Sequence, residues 1–290
     1  MTDLVDLIVV GDVMVDVLVD AETLASGGHV PGAVRIRPGG AAANAAVWAA
    51  SEGARVRLYG RIGSDLAGSL VRESLEARGV ETELAIDDEA PTGTILIAGN
   101  RAVRSPVADP GANTSLAPSD LPVRLVARAL LVSGYSLLDP SSEPAARAAL
   151  ERAETGILVV DAASASLIDA YGAEQFLEAT ERATVLLADE REAEALTRAT
   201  GEEAVQKLAS RFHTVVVKHG AGGAILARGD RLLRVEPLNV TETEATGSGD
   251  AFAGVLLAHL AHGNSEEKAL DAACRAGEAV ATSLEPWPER

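Results

Sequence analysis

Ile157-Leu158-Val159-Val160, Val185-Leu186-Leu187 and Thr214-Val215-Val216-Val217 are three short apolar runs within residues 157–217. They are continuously apolar instead of alternating, which is the pattern of strands in a parallel sheet covered on both faces. Glu190–Ala199, between the second and third runs, reads as a helix. The same grammar extends outward. Leu7–Val10, Val56–Tyr59 and Leu130–Val132 read as further buried strands. Ala41–Ala50, Asp65–Arg78, Ser142–Arg152, Ala251–His262 and Glu266–Ala281 read as helices, with Ser142 at an N-cap and Pro144 just inside. The alternation predicts a doubly wound α/β domain.

Three stretches break this pattern. Val13–Val19, Ala33–Arg37 and Thr94–Val107 alternate polar and apolar residues, carry charge and sit beside glycine-rich turns. They predict half-exposed strands outside the main sheet, forming a small lid from segments near 12–20, 30–38 and 92–108. Ala224–Val235 reads as a hairpin turning at Gly229-Asp230. One domain over 1–290 with a lid fits better than two independent domains.

Composition removes several classes of function. Among 290 residues, 25 Lys+Arg against 43 Asp+Glu give a net charge of −18. That argues against nucleic acid or an anionic membrane bound through a basic face. Aromatics at 3% argue against a base-stacking surface. A single cysteine, Cys274, excludes a disulfide framework and a cysteine zinc site, and reads as a small buried side chain. Leu7–Val10 is too short for a signal sequence or a membrane span, so a cytoplasmic protein is expected. The lysines are Lys207, Lys218 and Lys268. None follows a glycine, so a Walker A loop is excluded. No Gly-x-Ser-x-Gly elbow supports a hydrolase.

The chemistry concentrates in glycine clusters. In Ala245-Thr246-Gly247-Ser248-Gly249-Asp250-Ala251-Phe252-Ala253-Gly254, two glycines precede a helix with Asp250 in its first turn. Helix N-termini present unpaired N–H groups, so the segment reads as a phosphate cradle with a carboxylate able to accept a hydroxyl proton. It reads equally as a tight loop with a capping aspartate. Pro38-Gly39-Gly40 opens a second helix with Asn44 about one turn in, either a polar-ligand site or a plain hinge. Gly60-Arg61-Ile62-Gly63-Ser64-Asp65-Leu66-Ala67-Gly68 is a strand-to-helix turn that is weak alone. His259 and His262 have no third ligand nearby and read as dipole caps.

Taken in order, these motifs resemble those of ribokinase-like (PfkB family) carbohydrate kinases over the whole length. Gly11-Asp12-Val13-Met14-Val15-Asp16 ends the first strand where the family places a substrate aspartate, here Asp16. Gly39-Gly40 with Asn44, then Gly60 and Gly63-Ser64-Asp65 with Gly68, resemble the N-terminal signature. Gly111-Ala112-Asn113 resembles a recurrent turn after the lid strands. Asp189-Glu190-Arg191-Glu192 stands where the family has Asn-x-x-Glu, and Lys218-His219-Gly220-Ala221-Gly222-Gly223 resembles its nucleotide turn. Glu244-Ala245-Thr246-Gly247-Ser248-Gly249-Asp250 resembles the C-terminal signature.

The resemblance implies a three-layer α/β/α fold with a β-strand lid, and an ATP- and Mg²⁺-dependent kinase acting on a hydroxymethyl group of a small sugar. It casts Asp250 as base and the amides of Gly247, Ser248 and Gly249 as anion hole, which suits phosphoryl transfer by positioning and charge stabilisation. It assigns Asp16, Gly39, Gly40 and Asn44 to the sugar, and Asp189, Lys218, Gly220, Gly223 and Gly249 to the nucleotide. Glu192 and Asp189 would help hold Mg²⁺; as residues alone they read as an acidic first helical turn. Arg101 and Arg104 in the lid stretch suit an acid sugar or sugar phosphate, or are simply solvated. A homodimer through the lid is also implied.

The departures are specific. Glu244-Ala245 replaces Asp-Thr, which argues against potassium activation. Asp189 for Asn adds negative charge near the phosphates and should raise dependence on Mg²⁺. Asp161-Ala162-Ala163 replaces the frequent Asp-Pro, and Ser133-Gly134-Tyr135 replaces a segment with a glutamate in ribokinases. Two rivals follow: a nucleoside kinase of the same superfamily, with Trp48 and Tyr135 as aromatic candidates, and a non-catalytic sugar or nucleotide sensor.

Overall fold

A computed structural model describes residues 4–20, 32–99, 104–236, 246–283 and 287–288. The strands are β1 (Val5–Val10), β2 (Met14–Asp20), β3 (Ala33–Gly39), β4 (Val56–Gly63), β5 (Val80–Asp87), β6 (Gly93–Gly99), β7 (Arg104–Asp109), β8 (Leu125–Ser133), β9 (Ala153–Glu154), β10 (Ile157–Asp161), β11 (Val185–Asp189), β12 (Thr214–Lys218), β13 (Ala224–Arg228) and β14 (Arg231–Val235). The α-helices are α1 (Ala41–Ser51), α2 (Leu66–Glu76), α3 (Gly134–Leu138), α4 (Glu143–Arg152), α5 (Ala165–Tyr171), α6 (Ala173–Ala179), α7 (Glu190–Thr197), α8 (Gly201–Ala209), α9 (Ser248–Ala261) and α10 (Glu266–Ser283).

The main sheet runs β14-β13-β12-β11-β10-β8-β1-β4-β5, with short β9 beside β8. From β12 to β5 the neighbours are parallel, while the β13–β14 hairpin closes one edge antiparallel. The six apolar runs are β1, β4, β8, β10, β11 and β12. They are apolar throughout because both faces are covered. Val10, Val132, Val160 and Val217 enter the core beneath α3–α8, while Val9, Leu131, Val159 and Val216 enter the core beneath α1, α2, α9 and α10. This is a three-layer α/β/α fold.

Several elements differ from the sequence reading. β5 is an edge strand whose alternation of Glu81 and Glu83 with less polar neighbours concealed it. Helices α3, α5, α6 and α8 span only 5, 7, 7 and 9 residues, too short to show a helical period in the sequence. Ser142 occupies the N-cap of α4, but its hydroxyl donates to the Ser136 carbonyl at 3.0 Å instead of capping the helix. Asp65 does cap α2, accepting from the Gly68 amide at 2.8 Å.

A smaller sheet, β3-β2-β6-β7, takes in the three charged, alternating stretches. Its root is fixed by two polar knots. The Val13 amide donates to Asn113 Oδ1 at 2.8 Å, and Asn113 Nδ2 donates to the Val13 and Pro110 carbonyls at 3.0 and 2.9 Å. Thr92 donates from its hydroxyl and its amide to the two oxygens of Asp65, at 2.6 and 2.8 Å. A Cβ on Gly68 would lie 2.5 Å from the Gly63 carbonyl oxygen, so the turn needs glycine to close. The cluster from Gly60 to Gly68 is thus an anchor for the smaller sheet, away from the cleft described below.

No helix among the described residues is long and apolar enough to cross a membrane.

Candidate active site

β1 lies between β4 and β8, and the helices that follow β1 and β8 pack on opposite faces of the sheet. Ligands in open α/β sheets bind outside the carboxyl ends of strands at such a switch point. Here it opens into a cleft of about 1530 Å³ lined from both sheets. A single small-molecule site occupies roughly 300–1000 Å³, so the cleft has room for two ligands side by side.

Asp12, just past β1, ties the switch point together. Its Oδ1 accepts from the Ser133 hydroxyl at the end of β8, at 2.7 Å, and its Oδ2 accepts from the Ala41 amide at the start of α1, at 2.6 Å. Asp12 therefore caps α1 from a distant strand. Gly40 precedes that helix at φ 98°, where a Cβ would meet the Asp12 carbonyl oxygen at 2.6 Å. Gly39 is buried, and a Cβ there would lie 2.1 Å from Asp16 Oδ1, so it makes room for the aspartate. Asp16 lines the cleft and its carboxyl is pushed up to about 6 by burial, against the pull of Arg37 at 3.4 Å.

Helix α9 supplies the other side. Gly247 adopts φ 95° as N-cap, and the Ala251 amide returns to the Gly247 carbonyl. The amides of Ser248, Gly249 and Asp250 therefore begin the helix without intrahelical partners. Asp250 Oδ2 accepts from Asn44 Nδ2 at 2.8 Å, joining the first turns of α1 and α9. Burial pushes the Asp250 carboxyl up to about 7; Asn44 and Lys218 oppose the shift, while Asp12 and Asp161 add to it. Lys218 Nζ, at the end of β12, lies 3.2 Å from both oxygens of Asp161. It sits 3.3 Å from where a Cβ of Gly249 would be. Burial opposes its charge, but Asp161, Glu192 and Asp250 outweigh that and raise its pKa.

Asp189 and Glu192 close a capping box on α7. The Asp189 amide donates to Glu192 Oε2 and the Glu192 amide to Asp189 Oδ1, both at 2.7 Å. The acidic-turn reading is thus realised, with one oxygen of each carboxylate left outside the box, and both residues line the cleft. Glu192 is held above the usual carboxylate range by burial, opposed by Lys218 and reinforced by Asp161 and Asp189. Among the described residues no three carboxylate, histidine or cysteine side chains cluster as a metal site by themselves, so a divalent cation here would need phosphate oxygens or water beside the free oxygens of Asp189 and Glu192.

The turn after β12 also lines the cleft. Gly220 and Gly223 adopt φ 53° and 82°, and a Cβ on Gly223 would meet the Val235 carbonyl oxygen at 2.0 Å. His219 Nδ1 lies 2.8 Å from Glu190. Two sequence readings shift. Trp48 packs in the core against Ala251 and Val255, whereas Tyr135 lines the cleft. Cys274 is only partly buried and also lines the cleft, with burial pushing its thiol up to about 11. His259 stands in the last turn of α9 and His262 at its C-cap, where the dipole-cap reading puts them, and they also approach Glu52 and Asp6 at 3.1 and 3.8 Å. Arg101, Glu244, Ala245 and the Arg104 side chain lie outside the described residues.

Sequence reasoning missed three residues of this site. Asp12 was legible as an acid at a strand end but was passed over for Asp16. Asp161 drew notice only as a departure. Trp287, whose indole donates to Asn44 Oδ1 at 2.7 Å, was signalled only by its rarity.

A cleft at the switch point, a helix N-terminus on its floor and a buried aspartate beside it define a phosphoryl-transfer enzyme of the ribokinase-like fold. Residues 5–286 match the model of the pfkB family carbohydrate kinases, and the chain belongs to that family. It is 30% identical over 263 residues to 2-dehydro-3-deoxygalactonokinase of Haloferax volcanii, covering 82% of this chain and 79% of that one. Adenosine kinase from Sinorhizobium meliloti superposes with a TM-score of 0.87 at 23% identity, over 99% of this chain and 96% of that chain. An Escherichia coli protein assigned as ribokinase II, solved with ATP and Mg²⁺, superposes with a TM-score of 0.86 at 20% identity, over 98% and 94%. The protein is thus a sugar or nucleoside kinase that uses ATP, which leaves the sensor reading without support.

The elevated Asp250 carboxyl has a consequence for stability. An aspartate ordinarily near 3.8 that is raised to about 7 in the fold binds its proton more tightly when folded. Its contribution to stability is therefore complete at low pH and is lost as pH rises through 7. Asp250→Asn should have a higher Tm than the parent at pH 8, with the gap closing toward pH 4. Thermal unfolding across pH 4–8 checks this, and a pH-independent gap would contradict it.

Proposed function

We propose that the protein transfers the γ-phosphoryl group of ATP to a hydroxymethyl group of a small sugar of the ribose, ketose or acid-sugar class. The observation that carries this reading is the Asn44–Asp250 hydrogen bond at the joined first turns of α1 and α9. It fixes one carboxylate oxygen and leaves Asp250 Oδ1 for the proton of an acceptor hydroxyl. As the acceptor's hydroxyl oxygen, its proton passing to Asp250, attacks the γ-phosphorus and ADP departs with the broken bond's electrons, the amides of Gly247, Ser248 and Gly249 face the charge on the transferring group. Asp16 and Gly40 line the sugar end of the cleft, and Gly39 serves it by seating Asp16. Lys218, Gly220, Gly223 and Gly249 line the nucleotide end. Glu192 and Asp189 would hold Mg²⁺, which when bound neutralises phosphate charge. Arg104 joins the sugar side, where a guanidinium suits an acidic acceptor.

The smaller sheet acts as a lid on the α/β body. Asp16, Ile95, Ile97 and Ala108 turn to the cleft from one face of it. A nucleoside acceptor is the second reading, favoured by Tyr135 in the cleft, where an aromatic ring can stack on a base.

Purified protein should consume ATP only with an acceptor present. The acid limb of its kcat/KM profile should fall near pH 7, where Asp250 loses its proton. Asp250→Asn should lower kcat by roughly a thousandfold or more, as loss of a base with its positioning does. A coupled assay over ribose, fructose, acid sugars and adenosine reads both the chemistry and the acceptor. Undiminished turnover in Asp250→Asn would overturn the assignment.

The other face of the lid carries Val34, Ile36 and Val107, which are 62%, 63% and 64% exposed, aligned across the strands with Val17 and Leu96. Such a face on an open sheet favours covering by a second copy. Light scattering should give a dimer mass, and Ile36→Lys should give a monomer. A monomeric mass for the parent would reject the dimer.

A further inference from the structure

Asn44 is 3% exposed and its side chain is bonded on both sides. Nδ2 donates to Asp250 Oδ2, and Oδ1 accepts from Trp287 Nε1. An indole N–H only donates, so it accepts no other orientation of the amide. Were the amide to turn over, its oxygen would face the carboxylate and its NH₂ would face another donor. Both contacts would be lost in a buried setting, where unmade hydrogen bonds are expensive.

Trp287 is itself held in place. Its ring packs against the core formed by α1, α2, α9 and α10. The Arg78 guanidinium, just beyond α2, lies 5.1 Å from the ring centroid, and Arg78 Nη1 donates to the Pro288 carbonyl at 2.5 Å. The indole is thus clamped by a cation and by a backbone contact to the next residue. The clamp lies outside the cleft, since neither Arg78 nor Trp287 lines it.

We infer that Trp287 is a positioning residue for phosphoryl transfer: by locking the Asn44 amide it keeps Asp250 Oδ2 engaged and Oδ1 aimed at the acceptor hydroxyl. The inference rests on Asp250 being the base. It makes docking of the segment at 287–288 a condition of full activity, through a single hydrogen bond made from outside the substrate cavity. The remaining groups around Asp250 are Asp12 past β1, Tyr135 on α3, Asp161 at the end of β10 and Lys218 at the end of β12, with Glu192 on α7 acting through Lys218. None of these touches the indole by hydrogen bond or ion pair, so removing its N–H changes one contact and leaves their charges in place.

Trp287→Phe keeps an aromatic ring on the core and under Arg78 while deleting the donor. Its kcat should fall roughly tenfold, the worth of about one hydrogen bond, with the KM for ATP unchanged within about twofold. The acid limb of kcat/KM should move to higher pH by roughly half a unit, because a loosened Asn44 no longer favours the charged carboxylate. Arg78→Gln, which frees the clamp from outside, should move the limb in the same direction by less. It supplies the readout if Trp287→Phe lowers the Tm enough to compromise folding. Acid limbs at the parent position in both variants, with Asp250→Asn inactive, would overturn the role of Trp287 and leave the base assignment standing. A fall in kcat without movement of the limb would reduce Trp287 to a packing residue and overturn the inference equally. If Asp250→Asn retained turnover, the base assignment itself would fail.

Discussion

The site depends on how closely two helices pack. Gly254 of α9 lies against the backbone of α1, where a Cβ would come within 2.2 Å of the Ala45 carbonyl oxygen. With no side chain at that contact, and alanines along most of α1, the two helices run nearly backbone to backbone. Their first turns then lie side by side, and Asn44 reaches Asp250 across the gap. A larger residue at Gly254 would separate the very groups that the chemistry needs together. Asp12 completes the arrangement by capping α1 while bonding Ser133, which fixes α1 to the switch point of the sheet, with α9 joined to it through Asn44 and Asp250.

The electrostatics follow from that crowding. Asp12, Asp161, Glu192 and Asp250 converge on a cleft in which Lys218 faces the last three. Burial and mutual repulsion keep Asp250 and Glu192 above the ordinary carboxylate range. A net charge of −18 does not preclude a site for phosphate, because unpaired helix-terminal amides and one tethered lysine act locally, where a whole-chain charge count does not register them. Lys218 stands beside Gly249 while held by Asp161, so a lysine lies near the anion hole although no Walker A loop brings it there.

Much of the fold was legible because its signals are local. The apolar runs at Leu130–Val132, Val185–Leu187 and Thr214–Val217 announce buried parallel strands, and Asp65 and Asp250 stand at readable helix starts. β5 was not legible, since its exposed face carries Glu81 and Glu83 and mimics a loop. The glycine motifs were legible as turns but not in their purposes. Gly39 seats Asp16, Gly223 lets β14 approach and Gly68 closes on Gly63, three packing constraints that no spacing rule separates from ligand binding. Contacts between residues far apart in the chain were hidden. Asn113 holds Val13 across 100 positions and Trp287 reaches Asn44 across 243.

The fold holds the Asp250 carboxyl buried, oriented by Asn44 and only weakly acidic. A carbon-13 NMR titration of the side-chain carboxyl carbons, with Asp250 assigned by its absence in Asp250→Asn, measures that property without substrate or turnover. The expected midpoint lies near 7. A midpoint near 4, the value of a solvated aspartate, would contradict it.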